Sequence, residues 1–502
     1  MKTLLPATLL LASMASPIAK GAVDSPQWRG PNRDGIYPET QLLKEWPKDG
    51  PKLAWRIEGL GRGLSSVAIV GGRLYTMGAR KGGQWLIALD PATQKELWAT
   101  KVSSDEDASQ CTPTISGELV YALSKDGELL CAKIADGTEV WRKSFKNDFG
   151  NPPKPGWGFA ESPLVDGNSV IVTPGSNDFF MVALNKATGA MVWKTEWPGA
   201  GKGHSGAGYT GPVVSNAGGV RQYVTMVGKG AIGVDAKSGK LLWHYNRVAN
   251  DTAVIPTPLV WDDYVFVSSG YGTGAALLKI EKAAPAPATA PTPDQGKIAA
   301  LEKKVADLNA EIGRRRETRS KAKEGTPEHA KANEAVQTIK PEIARAEEEL
   351  GRAQSGGGKS SGTLAIPGSP VVAAEQYFLD AGTFQNHHGG MVRIGDYIYA
   401  GKGHNNGFPV CLEWKTGKVT WDQGRGPGKE SAAVVAADGN LYFRYQNGIM
   451  ALIEASPKGY AEKGSFKLAS VDGPSWSHPV IHDGRLYLRD QNSLMCYDLR
   501  SK

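Results

Sequence analysis

Short apolar runs alternate with tight polar turns along most of the chain, and one hairpin pattern recurs. In its clearest copy, Val234–Tyr245 (VDAKSGKLLWHY), an apolar strand leads into the turn Lys237-Ser238-Gly239, and the outgoing strand carries Trp243. Glycine at this turn position can take the positive φ that closes a short hairpin loop. Other copies are Ala92-Thr93-Gln94 before Trp98, Asp136-Gly137 before Trp141, Ala187-Thr188-Gly189 before Trp193, and Lys415-Thr416-Gly417 before Trp421.

The spacing of these hairpins indicates a repeat architecture. Successive tryptophans from Trp98 to Trp243 are separated by 43, 52 and 50 residues. The longer interval from Trp243 to Trp421 holds two more repeats once residues 283–360, which look foreign to the pattern, are set aside.

A second motif precedes the Trp hairpins and also ends the chain. It is a polar residue, often followed by Pro, then two apolar residues, a Gly turn and another apolar strand. Each repeat is therefore about four short strands, and such units bury both faces when their sheets pack radially into a ring. The copies are Ser65-Ser66-Val67 to Tyr75, Thr112-Pro113-Thr114 to Tyr121, Ser162-Pro163-Leu164 to Val172, and His478-Pro479-Val480 to Tyr487.

Together the two motifs resemble the pyrroloquinoline-quinone-like (PQQ-like) β-propeller repeat. That family includes quinoprotein alcohol dehydrogenases and the propeller lipoprotein of the outer-membrane assembly machine, and in it the Trp docks between neighbouring blades. The resemblance covers about residues 51–282 and 361–502. The run Gln27–Gly35 (QWRGPNRDG) is also similar to the opening of a secreted, poorly characterised branch of the family.

We therefore expect an all-β fold, an eight-bladed PQQ-like β-propeller, with seven blades as the alternative. The last repeat, Ser475–Leu499, supplies only three strands. Lys52–Glu58, with Trp55, would complete it and so close the ring and hide two sheet edges. The predicted segments are a signal peptide at 1–22, an N-terminal extension at 23–50, propeller at 51–282, a helical insertion at 283–360 and propeller at 361–502.

The insertion is predicted to be an antiparallel coiled-coil hairpin within the fifth blade. A stiff Pro/Ala-rich linker enters it and a flexible Gly/Ser-rich linker leaves it. On both sides of Gly325-Thr326-Pro327, apolar residues recur at alternating spacings of three and four, which is typical of a heptad seam. Two interpretations stay open: an arm that contacts a protein of the cell envelope, and a surface insertion that the fold tolerates.

The N-terminus and the charge limit the function classes. Met1–Ala22 joins Lys2 to an apolar run that is short for a membrane span and ends in small residues, as secretory signals do; a membrane anchor is the alternative. We expect a periplasmic or secreted protein without a transmembrane span. The net charge of +7 over 502 residues is a mild excess that argues against a nucleic-acid partner. The cysteines are scattered and are expected to be buried in blade strands: Cys111, Cys131, Cys411 and Cys496.

Candidate site residues come from the position just before each blade's first strand, because these positions surround one mouth of a propeller's channel. Imidazoles, carboxylates, a guanidinium and indoles gather there, as in a small-molecule site. Each of them also has a purely structural interpretation, such as a turn cap or an ion pair with Arg62. The candidates are Arg62, Gln110, Trp157, Glu161, His204, Asn386, His387, Glu430, Trp476 and His478.

The histidines allow one further alternative. If His387 and His388 are adjacent on a strand, they point to opposite faces and only one can face the channel. His204, His387 and His478, from three blades, could together bind a transition metal through neutral imidazoles.

The resemblance implies PQQ and calcium as cofactors, although no residue pattern requires either. Trp157 or Trp476 could stack on the quinone rings and Arg62 could pair with its carboxylates. Glu161 and Asn386 could supply oxygen ligands to the calcium ion. The family's adjacent Cys-Cys pair and a haem-attachment C-x-x-C-H are missing from this sequence.

Two functions follow as hypotheses. The first is a non-enzymatic binding or scaffold protein of the cell envelope, with a ligand or partner at the channel mouth. The second is a PQQ-dependent dehydrogenase that oxidises an alcohol or a sugar.

Overall fold

A computed structural model describes residues 23–197, 206–250, 252–283, 295–323, 325–354, 363–364 and 366–501. The predicted signal peptide at 1–22 and most of both linkers of the insertion lie outside these ranges. The strands of the first half are β1 (Ile36–Tyr37), β2 (Lys52–Ile57), β3 (Ala68–Val70), β4 (Arg73–Arg80), β5 (Gly83–Asp90), β6 (Lys95–Ser103), β7 (Thr114–Ser116), β8 (Leu119–Leu123), β9 (Glu128–Lys133), β10 (Glu139–Ser144), β11 (Leu164–Asp166), β12 (Ser169–Val172), β13 (Val182–Asn185), β14 (Met191–Lys194), β15 (Val213–Ser215), β16 (Gln222–Val227), β17 (Gly230–Asp235) and β18 (Leu241–Tyr245).

The second half begins with the remaining strands of the fifth blade, on either side of the insertion. The helices are α1 (Phe145–Asp148), α2 (Gln295–Lys321) and α3 (Pro327–Gln354), with a 3₁₀ turn at Ala217–Gly219. The strands are β19 (Leu259–Trp261), β20 (Tyr264–Ser269), β21 (Gly274–Lys282), β22 (Thr363–Leu364), β23 (Val371–Leu379), β24 (Met391–Ile394), β25 (Tyr397–Lys402), β26 (Phe408–Glu413), β27 (Val419–Asp422), β28 (Ala432–Ala437), β29 (Asn440–Tyr445), β30 (Ile449–Glu454), β31 (Glu462–Lys467), β32 (Val480–His482), β33 (Arg485–Asp490) and β34 (Ser493–Asp498).

These strands form eight sheets, so the predicted eight-bladed propeller is confirmed and the seven-bladed alternative is wrong. We number the blades from β3–β6 (blade 1) to β32–β34 with β2 (blade 8). In blade 8, β2 pairs antiparallel with β34, and Trp55 lies opposite Cys496. The chain ends therefore share one sheet, as predicted, and this closure hides two edges.

Four tryptophans of the repeat bond to the next blade, whereas the indole of Trp243 donates to Oε1 of Gln222 in its own blade at 2.6 Å. In every blade a β-bulge shifts the pairing register between the third strand and the outer strand. The bulge lies next to the residue that corresponds to the Trp of the repeat, which we call the Trp position. The indole of Trp193 donates to the carbonyl of Ala236 in the next blade at 3.1 Å, and a Cβ added to Gly239 of that blade's turn would lie 2.5 Å from the ring. The same indole-to-carbonyl bond joins Trp98 to Ile134, Trp141 to Lys186, and Trp421 to Ser456.

Two blades lack a Trp at this position, and other aromatic residues take its place. In blade 5 the position belongs to Tyr377, whose hydroxyl donates to the carbonyl of Trp414 in blade 6 at 2.8 Å. In blade 7 the position is Gly464, and Trp46 from the N-terminal extension covers it. Aromatic docking therefore continues where the repeat sequence loses its Trp.

The N-terminal extension also closes the central channel. Residues 25–37, which we call the N-terminal plug, contact all eight blades at or next to their innermost strands, which line the channel of a propeller. The plug therefore lies across the channel and divides it into two separate cavities. The contacts, in blade order, are Ser25 to Ile69, Pro26 to Ile115, Arg33 to Pro163 and to Pro212, Trp28 to Thr257, Arg29 to Met391, Ile36 to Ala436, and Tyr37 to Pro479.

The insertion is a helical hairpin between β21 and β23 of blade 5. Lys304 pairs with Glu349 at 3.7 Å, and Arg315 donates to the carbonyl of Ala335 at 2.8 Å, so the two helices run antiparallel. Ile312, Val336 and Ile339 are buried between them. Regular coiled-coil packing of this hairpin stays a prediction. In the part of the chain that the structure describes, neither long helix is apolar enough to cross a membrane.

The four cysteines are free and buried, as expected. Burial raises the pKa of the Cys111 and Cys131 thiols to about 12. Thiols with such pKa values are inert at neutral pH.

Candidate functional site

One cavity, of about 380 Å³, opens at the mouth of the propeller where the first strands begin. We call it the throat cavity. Two sets of loops line it: the residues before the first strands, and the turns between the second and third strands, which return to the same end of each sheet. Its lining is Trp28, Leu64, Gln110, Trp157, Ala160, Ser162, Tyr209, Thr210, Gly211, Ala253, Ile255, Thr257, Tyr271, His387, His388, Gly390, His404, Asn405, Gln446, Trp476 and His478.

The N-terminal plug forms the floor of the throat cavity. The indole of Trp28 packs on the imidazole of His478, with ring centroids 4.3 Å apart. Buried Arg29 lies behind this pair, where it donates to the carbonyls of Asp34 at 3.0 Å and Met391 at 2.5 Å. A Cβ on Gly390 would lie 1.9 Å from the Arg29 guanidinium, so only glycine leaves room for it there. The cavity is therefore blind at its inner end.

Three imidazoles are stacked on one wall. The ring centroids of His387 and His388 are 3.6 Å apart, and those of His387 and His404 are 4.3 Å apart. His387 is held by Ser431 at 2.8 Å and by the hydroxyl of Tyr271 at 3.0 Å. The expectation that only one of His387 and His388 faces the channel is wrong. The two residues precede β24 in a bend rather than lying on a strand, so the alternation of strand side chains does not apply.

Burial keeps these imidazoles neutral. It lowers the pKa of His387 to about 2 and that of His388 to about 4, with further lowering from neighbouring imidazoles. Burial, and then the charge of Arg29, also hold the pKa of His478 well below its ordinary value. The described lining contains no Asp, Glu, Lys or Arg, so this wall of the cavity is uncharged at neutral pH.

Aromatic rings and amides make up the rest of the wall. Trp157 is 48% exposed and packs edge-on against Tyr209, and Trp476 packs on His388 with centroids 4.5 Å apart. The Trp476 indole donates to Oε1 of Gln446 at 2.6 Å, which fixes the ring. The cavity therefore offers flat apolar faces with amide and imidazole groups between them.

Half of the ten sequence candidates meet in the throat cavity: Gln110, Trp157, His387, Trp476 and His478. Arg62 and Glu430 are exposed and outside the lining; Arg62 faces Asp107 at 3.8 Å. Glu161 and Asn386 are buried behind the wall. His204 falls at 198–205, outside the described residues.

The calcium prediction for Glu161 and Asn386 gains no support from the geometry. Oε1 of Glu161 accepts from the backbone N–H of Thr173 at 2.5 Å, and the amide of Asn386 donates to the carbonyl of Gly401 at 2.9 Å. No described contact joins the two residues. Among the described residues, no cluster of His, Cys, Asp and Glu has the arrangement of a metal site. The three-histidine alternative includes His204, which lies outside the described residues, so it stays a prediction.

Sequence reasoning missed the plug and the second-to-third strand turns. Tyr271 lies in the turn after β20, His404 and Asn405 in the turn after β25, and Gln446 in the turn after β29. The topology of an antiparallel sheet was the available signal. When the first strand of a blade begins at the mouth, the second strand runs back towards it, so the turn between the second and third strands also lies at the mouth. Trp28 had no comparable signal, because the plug has almost no strand pattern.

A quinone cofactor fits this lining only in part. Trp157 and Trp476 could stack on its rings, as predicted. Its carboxylates would meet no cation in the described lining, and a calcium ion would meet no carboxylate there. The described residues therefore do not form the PQQ and calcium site that the resemblance implies.

Comparisons with known proteins agree with this architecture. The family described as "Outer membrane protein assembly factor BamB" matches residues 47–144 and 82–286. No curated protein matches the chain in sequence. Solved structures match over most of its length.

BamB from Moraxella catarrhalis is 12% identical with a TM-score of 0.52, and the match covers 90% of this chain and 98% of that one. Quinohemoprotein alcohol dehydrogenase from Comamonas testosteroni is 13% identical with a TM-score of 0.53, covering 95% of this chain and 81% of that one. The computationally designed Ika8 protein is 10% identical with a TM-score of 0.52, covering 90% and 100%. At such identities the likeness establishes the fold alone. The repeats, the eight closed blades and these matches together show that the chain has a PQQ-like β-propeller fold.

Proposed function

We propose that this protein is an exported, non-enzymatic binding protein of the cell envelope that holds a small molecule in the throat cavity. One observation carries the proposal: a blind cavity of about 380 Å³, closed by the plug and lined by aromatic and imidazole rings. Cavities of this size with a few convergent polar groups are typical of small-molecule sites.

Binding is favoured over catalysis by the state of the polar groups. A general base works best with a pKa near the working pH. The pKa values of His387 and His388 are lowered to about 2 and about 4, and that of His478 is also low, so these imidazoles are weak bases. They are better suited to accept or donate hydrogen bonds than to take a proton from a ligand.

A PQQ-dependent dehydrogenase that oxidises an alcohol or a sugar is the second candidate. The observation in its favour is that Trp157 and Trp476, the predicted stacking residues, both line the throat cavity. The described part of the lining argues against it, since the cofactor's carboxylates would find no cationic partner among those residues.

Location and partners complete the proposal. The signal-like sequence at 1–22 supports a periplasmic or secreted protein. The helical hairpin offers a second surface, away from the throat, for a protein of the envelope. The mild net charge supports the absence of a nucleic-acid partner.

The test is a thermal-shift and absorbance titration of the purified mature protein. A small-molecule extract of the envelope should raise the melting temperature, and the shift should be lost in Trp157→Ala. PQQ with calcium should produce neither saturable binding nor dye reduction with an alcohol. Saturable PQQ binding with dye reduction would replace this proposal with the second candidate.

A further inference from the structure

We infer that the throat cavity binds a neutral saccharide. This inference rests on the proposed binding function and names the ligand class for the same site. Three properties of the described lining carry it: the lack of Asp, Glu, Lys and Arg, the indole rings, and hydrogen-bonding groups that are left without partners.

The lack of charge limits the ligand first. The described lining holds no Asp, Glu, Lys or Arg side chain, and burial lowers the pKa of each of its histidines, so they are neutral at pH 7. A charged ligand would lose its hydration without gaining a counter-ion, which is costly inside a protein. The described lining therefore favours an uncharged ligand.

The aromatic residues require an apolar face on that ligand. Trp157 leaves nearly half of its surface exposed beside Tyr209, and Trp476 presents a ring held by Gln446. Indoles with one apolar face and one polar edge suit a partner that is likewise apolar on one side and polar on another. A pyranose ring has this form, with C–H groups on its faces and hydroxyls around its edge.

The polar groups require donors and acceptors on the same ligand. Nδ1 of His388, in the cavity wall, is buried without a hydrogen-bond partner. Gln446 uses Oε1 for the Trp476 indole, and Asn405 uses Oδ1 for Ser431. Each amide retains its NH₂ group as a donor. A buried nitrogen without a partner is costly, and a hydroxyl can donate to it or accept from it. A purely apolar ring would leave these groups unpaired.

The experiment compares neutral and charged versions of the same rings. The mature protein is titrated by calorimetry and by Trp fluorescence with glucose, N-acetylglucosamine and cellobiose, and with the charged counterparts glucuronate and glucosamine. At least one neutral sugar should bind saturably, and about tenfold or more tightly than its charged counterpart. If cellobiose binds more tightly than glucose, the natural source of the ligand is a polysaccharide chain. If the two bind equally, the source is a free sugar.

Two variants and a control locate the site. Trp157→Ala removes a stacking face and His388→Phe keeps a ring while removing both nitrogens, so each should weaken binding about tenfold. Trp261→Ala removes an indole that is 52% exposed on the other side of the plug, and it should leave the affinity unchanged. Thermal melts followed by circular dichroism identify a variant that fails to fold. If either Trp157→Ala or His388→Phe fails, the affinity of the other variant decides whether the sugar binds in the throat cavity.

The outcomes separate this inference from the proposed function. If the charged sugars bind as well as the neutral ones, or if every sugar fails while the envelope extract still shifts the melting temperature, the ligand class is wrong and the binding function stands. If neither sugars nor the extract have any effect, both are wrong.

Discussion

The guanidinium of Arg29 lies 3.4 Å from Nδ1 of His478, two residues that are 449 positions apart in the chain. Both side chains are buried, and the pair joins the N-terminal plug to the segment just before the first strand of blade 8. His478 in turn packs on Trp28 at the floor of the throat cavity. The shape of the cavity therefore depends on a contact that forms between the two ends of the chain.

Replacing Arg29 should destabilise the protein. Arg29→Met leaves the carbonyls of Asp34 and Met391 without their donor, and a buried group that loses its partner costs about 1–3 kcal/mol. The loss should appear in the free energy of unfolding from denaturant titration. Arg425→Met, at an exposed position, is the matched control and should have little effect. Equal stability of the two variants would show that the plug is not held by Arg29.

The docking of indoles on turn glycines can be tested with two similar substitutions. Gly239 and Gly167 both have positive φ, at 73° and 57°. An added Cβ at Gly239 would lie 2.5 Å from Trp193, whereas at Gly167 it would meet nothing within 4 Å. Both alanine variants carry the backbone cost, and Gly239→Ala should lose a further 1–3 kcal/mol, roughly the cost of overpacking.

Thermal and denaturant unfolding of the two variants would measure this difference. Similar losses for Gly239→Ala and Gly167→Ala would mean that the indole moves aside freely. In that case the blade interface would not depend on close contact between the Trp and the turn.

Buried Glu161 should make stability depend on pH. Burial raises its pKa from 4.5 to about 7, despite its hydrogen bond with Thr173. Between these values the folded state binds a proton that the unfolded state lacks, so this group's contribution to stability falls as pH rises from 4.5 to 7. Glu161→Gln cannot ionise, so it should gain about 3 kcal/mol over the wild type across this window.

The measurement is the free energy of unfolding at pH 4.5 and pH 7.5. Glu430→Gln, the same change at an exposed position, is the control and should follow the wild-type pH profile. A Glu161→Gln profile that runs parallel to the wild type would show that Glu161 is ionised in the folded protein.

The helical hairpin should be dispensable for folding, but the stability of a deletion variant should depend on where the deletion ends. Deleting 284–362 with a short Gly/Ser link keeps β22, which pairs with β18 of blade 4, and should change the free energy of unfolding by less than about 1 kcal/mol. Deleting 284–369 also removes Ile366, which packs against the core, and should cost about 2 kcal/mol more.

Circular dichroism and denaturant unfolding of both deletions would show this. Loss of the β signal in the shorter deletion would mean that the hairpin is structural. Sugar binding measured on the shorter deletion should equal that of the full chain, because the throat lies apart from the insertion.

Much of the fold could be predicted because its signals are local. The turn glycines Gly137, Gly189, Gly239 and Gly417 all have positive φ, as the hairpin pattern predicts, and even Gln94 in the weakest copy has φ 60°. The closing pair of β2 and β34 followed from counting strands, since the last repeat lacked one.

The site was harder to predict because its contacts are distant in sequence. Gln110, Trp157 and Trp476 were found from their place before a first strand, but Trp28 reaches the cavity through an irregular segment that local patterns do not describe. His388 was set aside by a strand rule, and a bend before β24 made that rule inapplicable. Arg62, at an equivalent position to the others, turns to the surface and Asp107 instead.

The plug has a consequence for when the protein becomes functional. A chain that is synthesised from its amino end presents residues 25–37 first, yet their contacts on blades 7 and 8 arrive last. Until the strand that ends at Asp498 has been made, the plug has no complete ring to enter and the throat cavity has no floor. Under the proposed function, only a completed chain could therefore hold its ligand, and a truncated product would leave the cavity open.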